Sequence, residues 1–207
     1  MAIKNVIFDM DGTLVDSGKA TVIACAQVAQ ELGMLPPTLT SIRRVIGYAN
    51  PEFYERLLPN ERPETVKRFG EKVEKEEQNM VEELGDKLLF PNVIATLCEL
   101  KKRGIALYLA STGSHEHVES CLRVTKLTPF FEVIACEEPE KIKMVGKIMD
   151  AGNPSEWLMV GDKNKDARAA RGNGIIAIGA GYGYCDELEA KNFDYVLSDP
   201  LELVAYI

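Results

Sequence analysis

Residues 5–17, Asn5-Val6-Ile7-Phe8-Asp9-Met10-Asp11-Gly12-Thr13-Leu14-Val15-Asp16-Ser17, constrain this chain more than any other stretch. Val6, Ile7 and Phe8 form a short β-branched and aromatic run that stops at a carboxylate. That is the pattern of a buried parallel strand delivering a side chain to the carboxyl edge of its sheet. Residues two apart on an extended backbone point the same way, so Asp9 and Asp11 face one cleft. Gly12 lets the chain turn where a side chain would clash. Two carboxylates sharing one site repel unless a cation or a proton separates their charges. This predicts a division of labour in which one carboxylate binds metal and attacks while the other stays protonated and donates.

The rest of the chain reads as two kinds of grammar. After Asp16 and Ser17, suited to capping a helix, the apolar positions Val22, Cys25, Val28, Ala29 and Leu32 predict an amphipathic helix ending at Gly33. Pro36-Pro37-Thr38 is a linker, and Thr40 or Ser41 is expected to cap a short helix through Val45 and Ile46. A longer helix follows Pro63, with a broken apolar stripe at Val66, Phe69, Val73, Met80 and Leu84, closed by Gly85. Its Glu- and Lys-rich remainder reads as a solvated face. From Asn92 onward helix and strand alternate, with strands expected at 105–110, 132–135, 157–160 and 175–178. Between them lie helices from Asn92 to about Arg103, from Ser114 to Val124 and from about Glu140 to Asp150. Such alternation means a parallel sheet covered on both faces. A simple crossover takes roughly 30 residues, and the stretch from Thr13 to Ile105 is far longer. The predicted fold class is therefore α/β: a Rossmann-like parallel-sheet core (1–15 and 89–207) with helices on both faces, plus a small all-α cap (16–88). Leu89-Phe90-Pro91-Asn92-Val93 is the expected return hinge.

Composition narrows the partners. The chain has 207 residues, 46% of them hydrophobic, and a net charge of −8. That charge argues against a broad nucleic-acid-binding face, although a local cation can still favour a small anionic substrate inside a cleft. No apolar stretch is long enough for a bilayer, and the N-terminus has no signal-peptide pattern. The five cysteines (Cys25, Cys98, Cys121, Cys136, Cys185) are odd in number and widely spaced, and read as reduced, mostly buried thiols of a cytoplasmic protein. His115 and His117, the two histidines, are expected to be exposed on the first turn of a helix. A monomer or weak homodimer with no membrane partner is expected.

Three further motifs follow in order. The 105–110 strand ends at Ser111-Thr112-Gly113-Ser114, where hydroxyls and the amides opening a helix make a ready anion site. Glu138-Pro139-Glu140-Lys141-Ile142-Lys143 places lysines near the start of a helix. The strand Trp157-Leu158-Met159-Val160 ends at Gly161-Asp162-Lys163-Asn164-Lys165-Asp166. Together with Asp9-Met10-Asp11-Gly12-Thr13, this set resembles the four motifs of the haloacid dehalogenase-like (HAD) phosphatases and spans nearly the whole chain. The Gly181-Tyr182-Gly183 run and the Asp194-Tyr195-Val196-Leu197 segment resemble the phosphoglycolate-phosphatase-like members. Many relatives carry Lys-Pro at the third motif and this chain does not. Of the two candidates, Lys141 rather than Lys143 has the distance to the acidic motif found in related phosphatases.

The resemblance implies a phosphoric monoester hydrolase acting on small phosphorylated metabolites. Asp9 would be the nucleophile and Asp11 the general acid/base. Asp9, the backbone carbonyl of Asp11 and Asp162 would hold Mg²⁺, supported by Asp166 through hydrogen bonds around the ligands. Thr13, Ser111, Thr112 and Lys141 would bind the phosphoryl oxygens. The cap would close over the site, with Gly47-Tyr48-Ala49-Asn50, Arg43 and Arg44 as candidates for substrate contact. A β-phosphoglucomutase-like phosphosugar mutase shares the motifs and the cap. A receiver-like module phosphorylated on Asp9 needs neither a general acid nor a large cap.

Overall fold

The computed structural model describes residues 2–48, 50–138 and 140–207; Ala49, expected in the cap loop, lies outside the described residues. The first strand, β1 (Asn5–Phe8), is followed by four helices: α1 (Gly18–Leu32), α2 (Leu39–Val45), α3 (Glu52–Leu57) and α4 (Pro63–Leu84). The alternating part then runs α5 (Val93–Lys102), β2 (Ala106–Ala110), α6 (His115–Val124), β3 (Val133–Ala135), α7 (Lys141–Met149), β4 (Trp157–Gly161), α8 (Asn164–Gly172), β5 (Ile176–Ala180), α9 (Glu187–Ala190) and β6 (Tyr195–Leu197). The chain ends in a 3₁₀ helix, Pro200–Tyr206. Among the described residues no helix is long and apolar enough to cross a membrane.

The six strands form one parallel sheet in the order β3-β2-β1-β4-β5-β6. β1 is central, and its alternation sorts side chains to the two faces. Val6 and Phe8 join the core that includes residues of α1, α4 and α5. Ile7 joins Met144, Val145, Met159 and Ala167 on the other face, beneath α7 and α8. Both faces are covered, as continuous apolar strands require. Register does the rest: Phe8 pairs with Leu109 on one side and Val160 on the other. Asp9, Ser111 and Asp162, each just past these pairs, therefore emerge at one edge of the sheet. The Asp9 amide holds that level by donating to Val160 O at 2.9 Å.

The chain leaves and re-enters the sheet through adjacent segments. Val15 bridges antiparallel to Leu89. The Asp16 amide donates to Leu88 O at 2.7 Å, and the Phe90 amide donates to Leu14 O at 3.1 Å. Between these crossings α1 packs along α4, burying Cys25, Val28, Phe69 and Val73.

Three local expectations need correction. Thr38, not Thr40 or Ser41, caps α2, its hydroxyl accepting from the Ser41 amide at 3.1 Å. The helix starts two residues earlier because the linker ends at Pro37. Helix α3 was not foreseen, since its six residues span fewer than two turns and give periodicity nothing to act on. Strands β2, β3 and β5 each begin one residue later than expected.

The 181–184 run braces this junction. Tyr182 and Tyr184 meet the Phe90 ring edge-on at 5.7 and 5.9 Å between centroids. The Tyr184 hydroxyl donates to Asp16 Oδ1 at 2.5 Å and accepts from the Gly18 amide at 2.8 Å. Gly183 lies so close to the Gly12 turn that a Cβ there would fall 1.8 Å from Gly12 O. Gly183→Ala must push these two loops apart. We expect a loss of about 1–3 kcal/mol in urea unfolding, the usual range for overpacking.

Candidate active site

The strand edge brings Asp9, Asp162 and Asp166 together in the interior, each offering a carboxylate oxygen within 4.8 Å of the others. Lys141, the first residue of α7, sends its ammonium between them, onto Asp9 Oδ1 and to 2.5 Å from Asp166 Oδ1. Its side chain is 2% exposed. Lys143, two residues on, pairs instead with Glu140 at the surface. Burial opposes the Lys141 cation, but Asp166 and Asp9 outweigh it and raise its pKa. Asp166 is engaged on both sides, because Oδ2 also accepts from the amides of Asp162 at 3.1 Å and Lys163 at 2.9 Å. Burial works against ionised Asp166 and Lys141 prevails, so its pKa is lowered.

Asp162 is the contrast. Both of its carboxylate oxygens are buried without a hydrogen-bond partner among the described residues. Burial first, and then the neighbouring Asp9 and Asp166, push its pKa well above the usual carboxylate value. Asp9 is also raised, mainly by burial and against the pull of Lys141. Apart from the Lys163 ammonium at 3.6 Å from Oδ2, nothing offsets this carboxylate, and a buried carboxylate without hydrogen bonds is the expected state of a ligand for a hard cation. The oxygens of Asp166 are already taken by this chain, which leaves Asp9 and Asp162 as the carboxylates free to face such an ion.

Asp9 and Asp11 open onto a cavity of about 620 Å³ between the sheet edge and the α1–α4 helices. Ser111 and Thr112 line it, the Ser111 hydroxyl accepting from the Gly113 amide at 3.1 Å. Thr13 lies fully buried outside that lining, with no partner for its hydroxyl among the described residues. Of the cap-loop candidates, Gly47, Tyr48 and Asn50 line the cavity. Arg43 sits over the Tyr184 ring at 5.4 Å instead, and neither it nor Arg44 is among the lining residues.

Three residues of the candidate site escaped sequence reasoning. His117 is not exposed: it stands on the first turn of α6 with Nε2 at 3.0 Å from Asp11 Oδ1. Burial opposes its cation, Asp11 outweighs burial, and its pKa rises well above the usual histidine value. Burial would raise Asp11 in turn, but His117 prevails and lowers it, so the proton of the pair rests on His117 and not, as expected from the sequence, on Asp11. Lys165 reaches from α8 to Thr112 Oγ1 at 2.5 Å and Gly47 O at 2.8 Å, joining the anion loop to the cap loop. Glu77 projects from α4 into the cavity and accepts from Thr21 Oγ1 at 2.5 Å. A signal for Glu77 was present, since it falls at the vacant helical step between Val73 and Met80 in the apolar stripe.

A central parallel strand ending in a buried carboxylate, a buried lysine against it and a helical insertion after the strand are arranged as in a haloacid dehalogenase-like hydrolase. Residues 6–180 match the family described as haloacid dehalogenase-like hydrolase, and the chain belongs to that family. It is 30% identical over 212 residues to a phosphoglycolate phosphatase of Synechococcus elongatus, covering 96% of this chain and 94% of the relative. It is 24% identical over 214 residues to the pyrophosphatase PpaX of Bacillus mycoides, covering 99% and 96%. Among solved structures, the haloacid dehalogenase-like family protein SP0104 from Streptococcus pneumoniae matches with a TM-score of 0.83 at 24% identity, over 99% of this chain and 98% of that one. The protein is a phosphatase of this family, a phosphoric monoester hydrolase.

Removing Lys141 leaves Asp9 and Asp166 buried without their counter-charge. Lys141→Met should lower stability in urea by about 3–5 kcal/mol, the usual effect of breaking a buried pair. Lys143→Met, at an exposed pair, should leave the unfolding midpoint unchanged.

Proposed function

We propose that this protein is a Mg²⁺-dependent phosphatase of small phosphorylated metabolites that works through an aspartyl-phosphate on Asp9. The observation that carries the reading is the position of Asp9: it lines the cavity and rests on the buried Lys141 ammonium. A phosphorylated substrate enters with its phosphoryl group against Ser111, Thr112 and the amides that open α6. Thr13 and Lys141 complete the set of groups that hold phosphoryl oxygens in place. An Asp9 carboxylate oxygen attacks phosphorus as the bond to the leaving oxygen breaks. That oxygen takes the proton of the Asp11–His117 pair. Asp11, now the base, accepts a proton from water as the water oxygen attacks phosphorus, and the bond to Asp9 breaks to release phosphate.

The bare carboxylate of Asp162 fits a hard divalent ion. Asp9, Asp162 and the backbone carbonyl of Asp11 would hold Mg²⁺, with Asp166 fixing the loop behind them. When bound, Mg²⁺ supplies positive charge that offsets repulsion between Asp9 and a phosphate dianion. Residues 16–88 act as the cap, shielding the acyl phosphate from stray water while Gly47, Tyr48 and Asn50 meet the rest of the substrate. The free cysteines, three of them buried, suit a cytoplasmic protein.

Phosphate release from a panel of phosphomonoesters with Mg²⁺ should show many turnovers per chain, and Asp9→Asn should abolish it. Asp11→Asn should slow it roughly 10²- to 10⁴-fold, the usual contribution of a positioned acid or base. Sustained turnover by Asp9→Asn would rule the mechanism out.

Metal binding has its own readout in stability. Folded metal-free protein binds the Asp162 proton more tightly than the unfolded chain, whose carboxylate titrates near about 3.9. The Asp162 contribution therefore falls as pH rises from that value through the raised folded pKa. Mg²⁺ at about 100 times its Kd should restore roughly 2.7 kcal/mol, with a larger gain in melting temperature at pH 8 than at pH 5. Asp162→Asn should lose the Mg²⁺ gain without destabilising the metal-free protein.

A further inference from the structure

The cavity carries its charge unevenly. On the core side the cationic lining residues are Lys165, held by Thr112 and Gly47, and His117, paired with Asp11. The cap wall is built by α3, α4 and the loop before them, and contributes Tyr48, Phe53, Tyr54, Glu74 and Glu77 but no lysine or arginine. Two more carboxylates, Glu116 and Glu137, line the cavity from the core. Among the described residues none of these four glutamates has an ion-pair partner. Arg56 stacks on the Tyr48 ring at 4.1 Å, but Glu52 already holds it at 2.7 Å and it does not line the cavity.

Glu77 is the most informative of the four. The Thr21 hydroxyl fixes it in the cavity; burial raises its pKa against the pull of the His117 cation and the Thr21 hydroxyl, with Asp11 and Glu74 adding to the rise. Phe53 and Tyr54, which meet edge-to-face at 4.9 Å, belong to the same lining. A carboxylate that shares a cavity wall with aromatic rings and makes no ion pair, the His117 cation across the cavity being bound to Asp11, has the chemistry that recognises an ammonium group. It is the opposite of what a leaving group bearing a carboxylate or a second phosphate requires, since like charges brought together in a cleft repel strongly.

We infer that the substrate carries a cationic leaving group: an amine-bearing phosphomonoester whose phosphoryl group sits at Asp9 and whose ammonium sits against Glu77 and Glu74 on the cap wall. This rests on the phosphatase mechanism proposed above and names its substrate class. It separates this chain from the phosphoglycolate phosphatase it resembles, because phosphoglycolate would direct a carboxylate at the same wall. Glu77 is then a specificity residue, acting on the leaving group and taking no part in the phosphoryl chemistry.

The test is a comparison of kcat/KM with Mg²⁺ at pH 7 for two near-isosteric pairs and one anion. The pairs are phosphoethanolamine with propyl phosphate and glucosamine 6-phosphate with glucose 6-phosphate; the anion is phosphoglycolate. In at least one pair the amine should exceed its neutral partner by roughly ten- to a hundredfold, the effect of one hydrogen bond to a charged group, with phosphoglycolate last. Glu77→Gln should bring that amine-to-neutral ratio close to one, and circular dichroism checks that the variant folds. Neutral esters or phosphoglycolate matching the amines in the wild-type protein overturns the inference while leaving the phosphatase mechanism intact. No turnover of any ester overturns the mechanism itself, and the inference with it.

Discussion

Asp9, Asp162 and Asp166 place three carboxylates within reach of one another where solvent hardly enters, and the layout of this edge of the sheet follows from how that charge is neutralised. Desolvation alone would force such groups to keep their protons. Lys141 solves half of the problem by lying between Asp9 and Asp166. The amides of Asp162 and Lys163 then fix Asp166. The other half is left open at Asp162, whose oxygens find no donor among the described residues. One arrangement thus both anchors α7 and α8 to the strand ends and prepares a place for a divalent ion.

Glycine lets two loops crowd this edge. A Cβ on Gly12, whose φ is +82°, would fall 2.5 Å from Asp162 Oδ2, and one on Gly183 would collide with the Gly12 carbonyl. The 181–184 loop thereby touches the Gly12 turn, and Tyr184 extends the contact to Asp16 and the start of α1. Lys165 makes a second link, from α8 to the Gly47 carbonyl, tying the loop after α2 to the segment that carries Asp162.

Much of this was legible in the residues. Val6, Ile7 and Phe8 identified the central strand, and the pairs of Phe8 with Leu109 and Val160 put Asp9, Ser111 and Asp162 at one edge as their motifs require. A helical start allows either Lys141 or Lys143 to turn inward; spacing to the acidic motif favoured Lys141, and it is Lys141 that is buried on Asp9 and Asp166. His117 was misread because position on a first turn says nothing about which side of the helix the next loop presents; the turn at 111–114 presents it to Asp11. Glu77 was lost within a Glu- and Lys-rich stretch, although a charge in register with Val73 and Met80 is the kind of local conflict that marks a functional position. Helix α3 and the Thr38 cap were hidden by shortness and by neighbouring hydroxyls of equal capping propensity.

The central claim is that phosphorus passes through Asp9, and the most direct measurement is to trap it there. A turnover reaction with Mg²⁺ would be quenched in acid, digested, and the phosphorylated peptide located by mass spectrometry, using Asp11→Asn to slow hydrolysis of the intermediate. The account predicts one acid-stable, base-labile phosphoryl group on the peptide containing Asp9, discharged when substrate is removed. Phosphate release that proceeds with no phosphorylated peptide, or with the label on a serine or histidine, would contradict it.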